Sequence, residues 1–223
     1  MSTPLVKITY YLELISSWCY WAEPAWAELK TRYGNKVDFQ WRLALMDASG
    51  LPVSREQCEW FYRRSGSIVR SPFMLNSGWY NTALTEYVAP NLVAEAARDF
   101  GVDDDRVRLA ICHAALREGK QVADWEVSVK AGAQAAGLDQ ARLLERARHP
   151  EVAERARIST SEFHAMKATQ RPTFLIESCI GDRVMISGLW KAAPIAASID
   201  CMLDDAAAYA AHTAHFGGPP AKA

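Results

Sequence analysis

Two short segments, far apart in the chain, hold residue types that can do chemistry together. The first is Ser16-Ser17-Trp18-Cys19-Tyr20-Trp21-Ala22-Glu23 and the second is Arg171-Pro172-Thr173-Phe174. Ser16 and Ser17 follow a strand-like run and can cap the free N–H groups of a helix that Cys19 then enters. Such a helix start stabilises an anion through its open amides and its dipole, and a sulfur held there ionises more readily than a free thiol. Ser16 and Cys19 are therefore the candidate catalytic residues. A proline at the start of a facing strand has no N–H and a fixed φ, which lets an extended substrate backbone approach. The Arg171–Pro172 bond is expected to be cis.

The elements that must position these residues are legible from periodicity. Leu5 to Leu14 alternates and is rich in β-formers, so it reads as a strand. Trp18 to Tyr33 has helical spacing with Pro24 inside it, and Gly34-Asn35 ends it. Val37 to Leu45 is a second strand, parallel to the first by the usual right-handed crossover. From about Ser54 to Lys167 the spacing is helical almost throughout, in stretches Thr85–Phe100, Asp105–Arg117, Asp124–Ala136 and Asp139–Arg148. Asp124 and Asp139 stand where N-caps belong, and Gly101, Gly119 and Gly137 stand at helix ends. Ser65–Asn81 reads as an extended loop. Strand character returns at Thr173–Glu177 and Arg183–Gly188 around a Gly181-Asp182 turn. A last helix is expected from about Trp190 to Leu203.

The order is βαβ, a helical block, then ββα. This predicts an α/β fold with residues 1–53 and 168–208 forming one sheet-containing domain. Residues 54–167 form an all-helical insertion, and 209–223 a flexible tail. The 25 basic and 26 acidic side chains nearly cancel, which removes the signature of a nucleic-acid or anionic-membrane binder. No apolar run is long enough to cross a bilayer. The N-terminus shows no signal-peptide core, so a cytoplasmic location with reduced thiols is expected. The five cysteines are odd in number and scattered, which does not make a disulfide framework. His212-x-x-His215 lacks further ligands, so no metal is expected.

Ser16-x-x-Cys19-Tyr-x-x-Glu before a helix, Pro172-Thr173-Phe174 and Ile186-Ser187-Gly188 together resemble the DsbA superfamily. The nearest likeness is to its FrnE-like branch, the 2-hydroxychromene-2-carboxylate isomerases and the kappa-class glutathione transferases. Asn81-Thr82, and Glu118-Gly-Lys-x-Val-x-Asp124, resemble that group's insertion. The resemblance implies a thioredoxin-like fold, a homodimer, and glutathione as the thiol acting on a small, electrophilic substrate. Dithiol members attack with a cysteine where this chain has Ser16. In the isomerase and transferase branches a serine there donates a hydrogen bond to bound glutathione. Trp18, Asn81, Arg171, Pro172 and Ser187 are the expected binding residues. Arg171 stands where a smaller residue is usual, and a guanidinium there suits a carboxylate. Gly188-Leu189-Trp190-Lys191 lacks the acidic residue and arginine that glutathione users tend to carry after the last strand. Besides the oxidoreductase or transferase reading stand an isomerase and an inert binding or chaperone module. Trp18, Tyr20, Trp21, Trp60, Phe61, Phe73, Trp79 and Tyr80 could wall an aromatic pocket, though spacing makes most of them packing residues.

Overall fold

The computed structural model describes residues 4–218. Strand β1 (Val6–Leu12) leads through Glu13-Leu14-Ile15 to helix α1 (Ser17–Tyr33), and β2 (Val37–Leu43) follows. The chain then forms α2 (Arg55–Val69), α3 (Val88–Ala97), α4 (Arg106–Leu116), α5 (Trp125–Ala136), α6 (Gln140–Ala147) and α7 (Pro150–Ala165). It returns as β3 (Thr173–Ser178), β4 (Arg183–Ser187) and α8 (Ala192–Phe216). The sheet order is β2-β1-β3-β4, with β1 parallel to β2 and antiparallel to β3. The expected βαβ unit and terminal hairpin are both present, and α2–α7 all lie between β2 and β3.

Alternation along the central strands decides what each face buries. Val6, Ile8, Tyr10 and Leu12 of β1, with Phe174 and Ile176 of β3, face α1, α8 and the insertion helices in one continuous apolar cluster. Tyr11 and Leu175 point the other way, onto Phe163 of α7 and Ala168. Tyr10 stacks on Phe174 with ring centres 4.7 Å apart, and Trp26 of α1 lies 5.1 Å from Tyr10. The sheet is thus covered on both faces, as its apolar central strands require.

Local signals set most helix ends where expected. The Asp124 carboxylate accepts from the Glu126 amide and Asp139 from Arg142. Gly101 and Gly137 close their helices in the left-handed region. Three boundaries differ. Helix α2 runs to Val69, so the loop expected from Ser65 begins five residues later, at Arg70. Helix α3 begins at Val88, because Asn81 caps a turn instead: its side chain accepts from the Ala83 amide, and its backbone bonds the Tyr87 hydroxyl. Helix α8 continues to Phe216, thirteen residues past Leu203, so residues 209–216 are helical and not a loose tail. Alanine is the strongest helix former, and the exposed stretch 207–211, alanine but for Tyr209, carries the helix into solvent without needing a core. The rest of the expected tail, 219–223, lies outside the described residues.

Candidate functional site

Ser16 is the N-cap of α1. It has an extended backbone (φ −76°, ψ 121°), and its hydroxyl oxygen accepts from the Cys19 amide at 3.4 Å. Its own amide donates to the Glu13 carbonyl, which turns the chain sharply from β1 into the helix. The amides of Ser17 and Trp18 have no partner among the described residues, as the first turn of a helix demands. No acidic side chain stands in that turn. An anion placed there meets open N–H groups and the positive end of a seventeen-residue helix.

These residues open onto a cavity of about 500 Å³, within the range of small-molecule sites. Ser16, Ser17 and Trp18 form one wall. Met46, Asp47, Ser49 and Gly50, from the loop after β2, form the floor. Helix α2 contributes Cys58, Phe61, Tyr62 and Arg64, with Trp79 behind them, and His164 to Arg171 complete the rim. The Arg171–Pro172 bond is cis, as expected. Gly188, at φ 77°, returns its amide to the Pro172 carbonyl at 2.8 Å and ties the end of β4 to the proline. A side chain would be strained at that φ.

Several candidate residues are placed otherwise than expected. Cys19 is only 3% exposed, one turn inside α1 and facing the core. Burial pushes its thiol up to about 11, against the Ser16 hydrogen bond that favours ionisation. It is therefore a packed thiol and not an open nucleophile. Mass-spectrometric mapping after brief iodoacetamide treatment at neutral pH is expected to find Cys179 and Cys201, both exposed, alkylated at least tenfold faster than Cys19. Cys19 reacting first would reverse this assignment.

Arg171 lines the cavity, but two of its nitrogens are spent. Nε donates to the Ala44 carbonyl, Nη2 donates to that of Leu45 at 2.6 Å, and the guanidinium lies over Phe163. It ties the start of β3 to the segment just after β2, and only Nη1 is left without a partner among the described residues. Asn81 is exposed on the turn described above and does not line the cavity. Ser187 bonds the Thr173 hydroxyl at 2.8 Å inside the hairpin, so it too is structural. Of the aromatic residues expected there, Trp18, Phe61 and Trp79 reach the cavity. Trp21 and Phe73 pack on each other along a separate groove with Trp190, and the Tyr80 hydroxyl donates to the Pro52 carbonyl.

Residues not singled out by sequence reasoning complete the site. Arg64 stacks over Trp60 and Phe61 at the rim and pairs with no carboxylate among the described residues. Glu13, three residues before Ser16, is 2% exposed. Its carboxylate accepts from Asn91 Nδ2 and, at 3.0 Å, from the Met46 amide, so it holds the cavity floor to β1. The signal available in the sequence was a carboxylate directly after Tyr10-Tyr11-Leu12 and before Leu14-Ile15.

Burial raises the Glu13 pKa from 4.5 to about 7, only partly offset by those hydrogen bonds. The folded value lies above the unfolded one. The stability this group contributes is therefore fully present below pH 4.5 and is lost as pH rises toward 7. Relative to Glu13→Gln, the wild type should lose about 3 kcal/mol across that window. Urea titrations at several pH values test this; parallel stability curves for the two proteins would contradict it.

Fold and site together define a DsbA-like thioredoxin fold with Ser16 at the mouth of the first helix. Similar solved structures carry the same plan. A protein disulfide isomerase candidate from Nitrosomonas europaea superposes with a TM-score of 0.72 at 15% identity, covering 90% of this chain and 98% of its own. The cytosolic disulfide reductase DsbM from Pseudomonas aeruginosa gives 0.72 at 18% identity, covering 89% and 98%. DsbM with GSH gives 0.67 at 18% identity, covering 89% and 99%. No family model and no curated protein matches the chain. The fold is therefore DsbA-like by structure, at identities that leave the chemistry to be argued from the site.

Proposed function

We propose that this protein is a glutathione-dependent thiol oxidoreductase or transferase acting on a small electrophile. The observation that carries the reading is Ser16: a hydroxyl at the N-cap of α1, beside the open amides of Ser17 and Trp18, on the wall of a cavity of about 500 Å³. The chain brings no exposed thiol of its own to that spot, since Cys19 and Cys58 are both buried. In this reading the sulfur anion comes from a bound molecule. Glutathione is the reading that the DsbM structure with GSH supports, on a shared fold.

In this reading the tripeptide sulfur lies at the α1 N-terminus, where the dipole lowers its pKa and the Ser16 hydroxyl donates to it. The thiol proton leaves to water. Arg64, at the rim and without a carboxylate partner, is the residue suited to a glutathione or substrate carboxylate. Trp18 and Phe61 give the electrophile an apolar wall. An isomerase of the 2-hydroxychromene-2-carboxylate type would use the same sulfur without net redox change, and net consumption of glutathione separates the two.

The direct test is binding. Glutathione at a hundred times its dissociation constant should stabilise the protein by about 2.7 kcal/mol, read as a rise in Tm. Its S-methyl derivative, with no ionisable sulfur, should stabilise it less. A melting curve unmoved by glutathione would refute the proposal and favour an inert thioredoxin-like binding module.

A further inference from the structure

Tyr62 stands on the α2 wall of the cavity, 3% exposed, and its hydroxyl oxygen accepts a 2.6 Å hydrogen bond from Trp79 Nε1. That bond uses one lone pair and leaves the hydroxyl proton to be donated elsewhere. Among the described residues no oxygen or nitrogen receives it. What faces it is the thiol of Cys58, one turn earlier on α2. A thiol sulfur is a weak acceptor. Cys58 and Trp79 line the same cavity as Ser16. Burial raises the Tyr62 pKa well above the usual phenol range, so the proton stays in place through neutral pH. The side chain is a donor anchored from behind by an indole, with no strong acceptor in front.

We infer that Tyr62 is a catalytic residue whose hydroxyl donates to an oxygen of the electrophile, one that gains negative charge as the sulfur attacks. The attacking sulfur rests on the glutathione reading above; the oxygen subsite itself does not. With a nitroaryl halide the step balances without oxidant or reductant. The thiolate lone pair forms the C–S bond and a ring π pair moves onto a nitro oxygen, where Tyr62 donates to it. That pair then returns, the carbon–halogen bond breaks, and halide leaves with its electrons. In attack on a disulfide the electrons pass to the departing sulfur instead, and a donor placed for an oxygen gains nothing. The cavity therefore favours electrophiles whose reacting carbon is conjugated to an oxygen.

The test compares two probes with glutathione, chlorodinitrobenzene and hydroxyethyl disulfide, and adds nitrophenolate binding without glutathione. Tyr62→Phe should slow turnover of chlorodinitrobenzene by about a hundredfold, the scale of losing one donor to a developing oxyanion. Disulfide turnover should fall far less. Nitrophenolate should bind the wild type with a blue-shifted absorption band, and Tyr62→Phe should abolish the shift. Cys58→Ser, which leaves the tyrosine intact but offers its proton a better acceptor, should also slow the nitroaryl reaction and spare the disulfide. Equal losses on both probes, no loss on either, or a wild type that leaves the nitrophenolate band unmoved would overturn the inference. A wild type that turns over neither probe, yet shifts nitrophenolate in a Tyr62-dependent way, refutes the glutathione reading and keeps the oxygen subsite.

Discussion

Replacing Arg108 by methionine is expected to destabilise the fold by about 3–5 kcal/mol, the usual result of stripping one partner from a buried ion pair. The Arg108 side chain is fully buried, and its guanidinium joins Glu23 of α1 to Asp105 at the start of α4, the latter at 2.8 Å. Asp105 also accepts from Trp26 Nε1 at 3.1 Å and from Lys30 at 2.7 Å. The Tyr10 hydroxyl lies 3.3 Å from Glu23 and donates to the Cys19 carbonyl at 2.9 Å. Removing the guanidinium strands two carboxylates in a low-dielectric site with only Lys30, Trp26 and Tyr10 to answer them. Urea denaturation of Arg108→Met measures the loss. Adding Glu23→Gln and Asp105→Asn should restore part of it by removing the stranded charges. A single variant within 1 kcal/mol of wild type would show that the network is not a principal tie between insertion and sheet.

The same network sets an acid limit. Burial alone would raise the Asp105 pKa, but Arg108 and the Lys30 hydrogen bond outweigh it, and the net shift is downward. A depressed carboxylate contributes stability above its unfolded pKa, and that contribution is lost as pH falls through the folded value. Arg108→Met should therefore be closest to wild type in acid and furthest from it near neutrality. The functional consequence is direct. The helix that presents Ser16 is held from behind by the insertion, so loosening α4 should blur the cavity before the sheet itself unfolds.

Ser16 carries the second large effect. Ser16→Ala should lower glutathione-dependent turnover by about ten- to a hundredfold, through loss of a hydrogen bond to a charged sulfur worth about 1.5–3 kcal/mol. It should cost about 1 kcal/mol of stability as well, because the Cys19 amide loses its cap. Ser16→Thr keeps a hydroxyl and separates the two roles: it should preserve the cap and much of the turnover. Ser16→Cys is the informative opposite. It places a thiol on the open amides with Cys19 one turn behind, the spacing of dithiol exchangers, and should raise insulin-reductase activity above that of the wild type. If Ser16→Ala turned over substrate at the wild-type rate, the hydroxyl would be a cap and nothing more.

The elements legible in the sequence were those set by their own neighbours. β1 and α1 follow from alternation, from Ser16 as a cap and from a switch to helical spacing. Asp124, Asp139, Gly101 and Gly137 marked helix ends because capping is completed within one turn. The cis bond before Pro172 and the place of Ser16 were legible because proline and a helix N-terminus each impose a geometry. The errors of extent fall where α2 outran Gly66, where α3 gave way to a side-chain-capped turn, and where alanines carried α8 past its core contacts.

What only the tertiary structure decided is which polar groups remain free. Arg171 and Ser187 read as ligand-binding residues by type, yet the carbonyls of Ala44 and Leu45 take two of the arginine's nitrogens and the Thr173 hydroxyl bonds Ser187; Asn81 caps its own turn. Cys19 reads as a nucleophile by position, yet the packing around α1 buries it and holds its proton on. Glu13, Tyr62 and Arg108 read as ordinary strand or helix residues, and become distinctive because partners 33 to 85 positions away, or a cavity wall, surround them. Residue type sets what a side chain can donate or accept. Whether that capacity is already spent depends on groups brought near by the fold, and no local pattern records it.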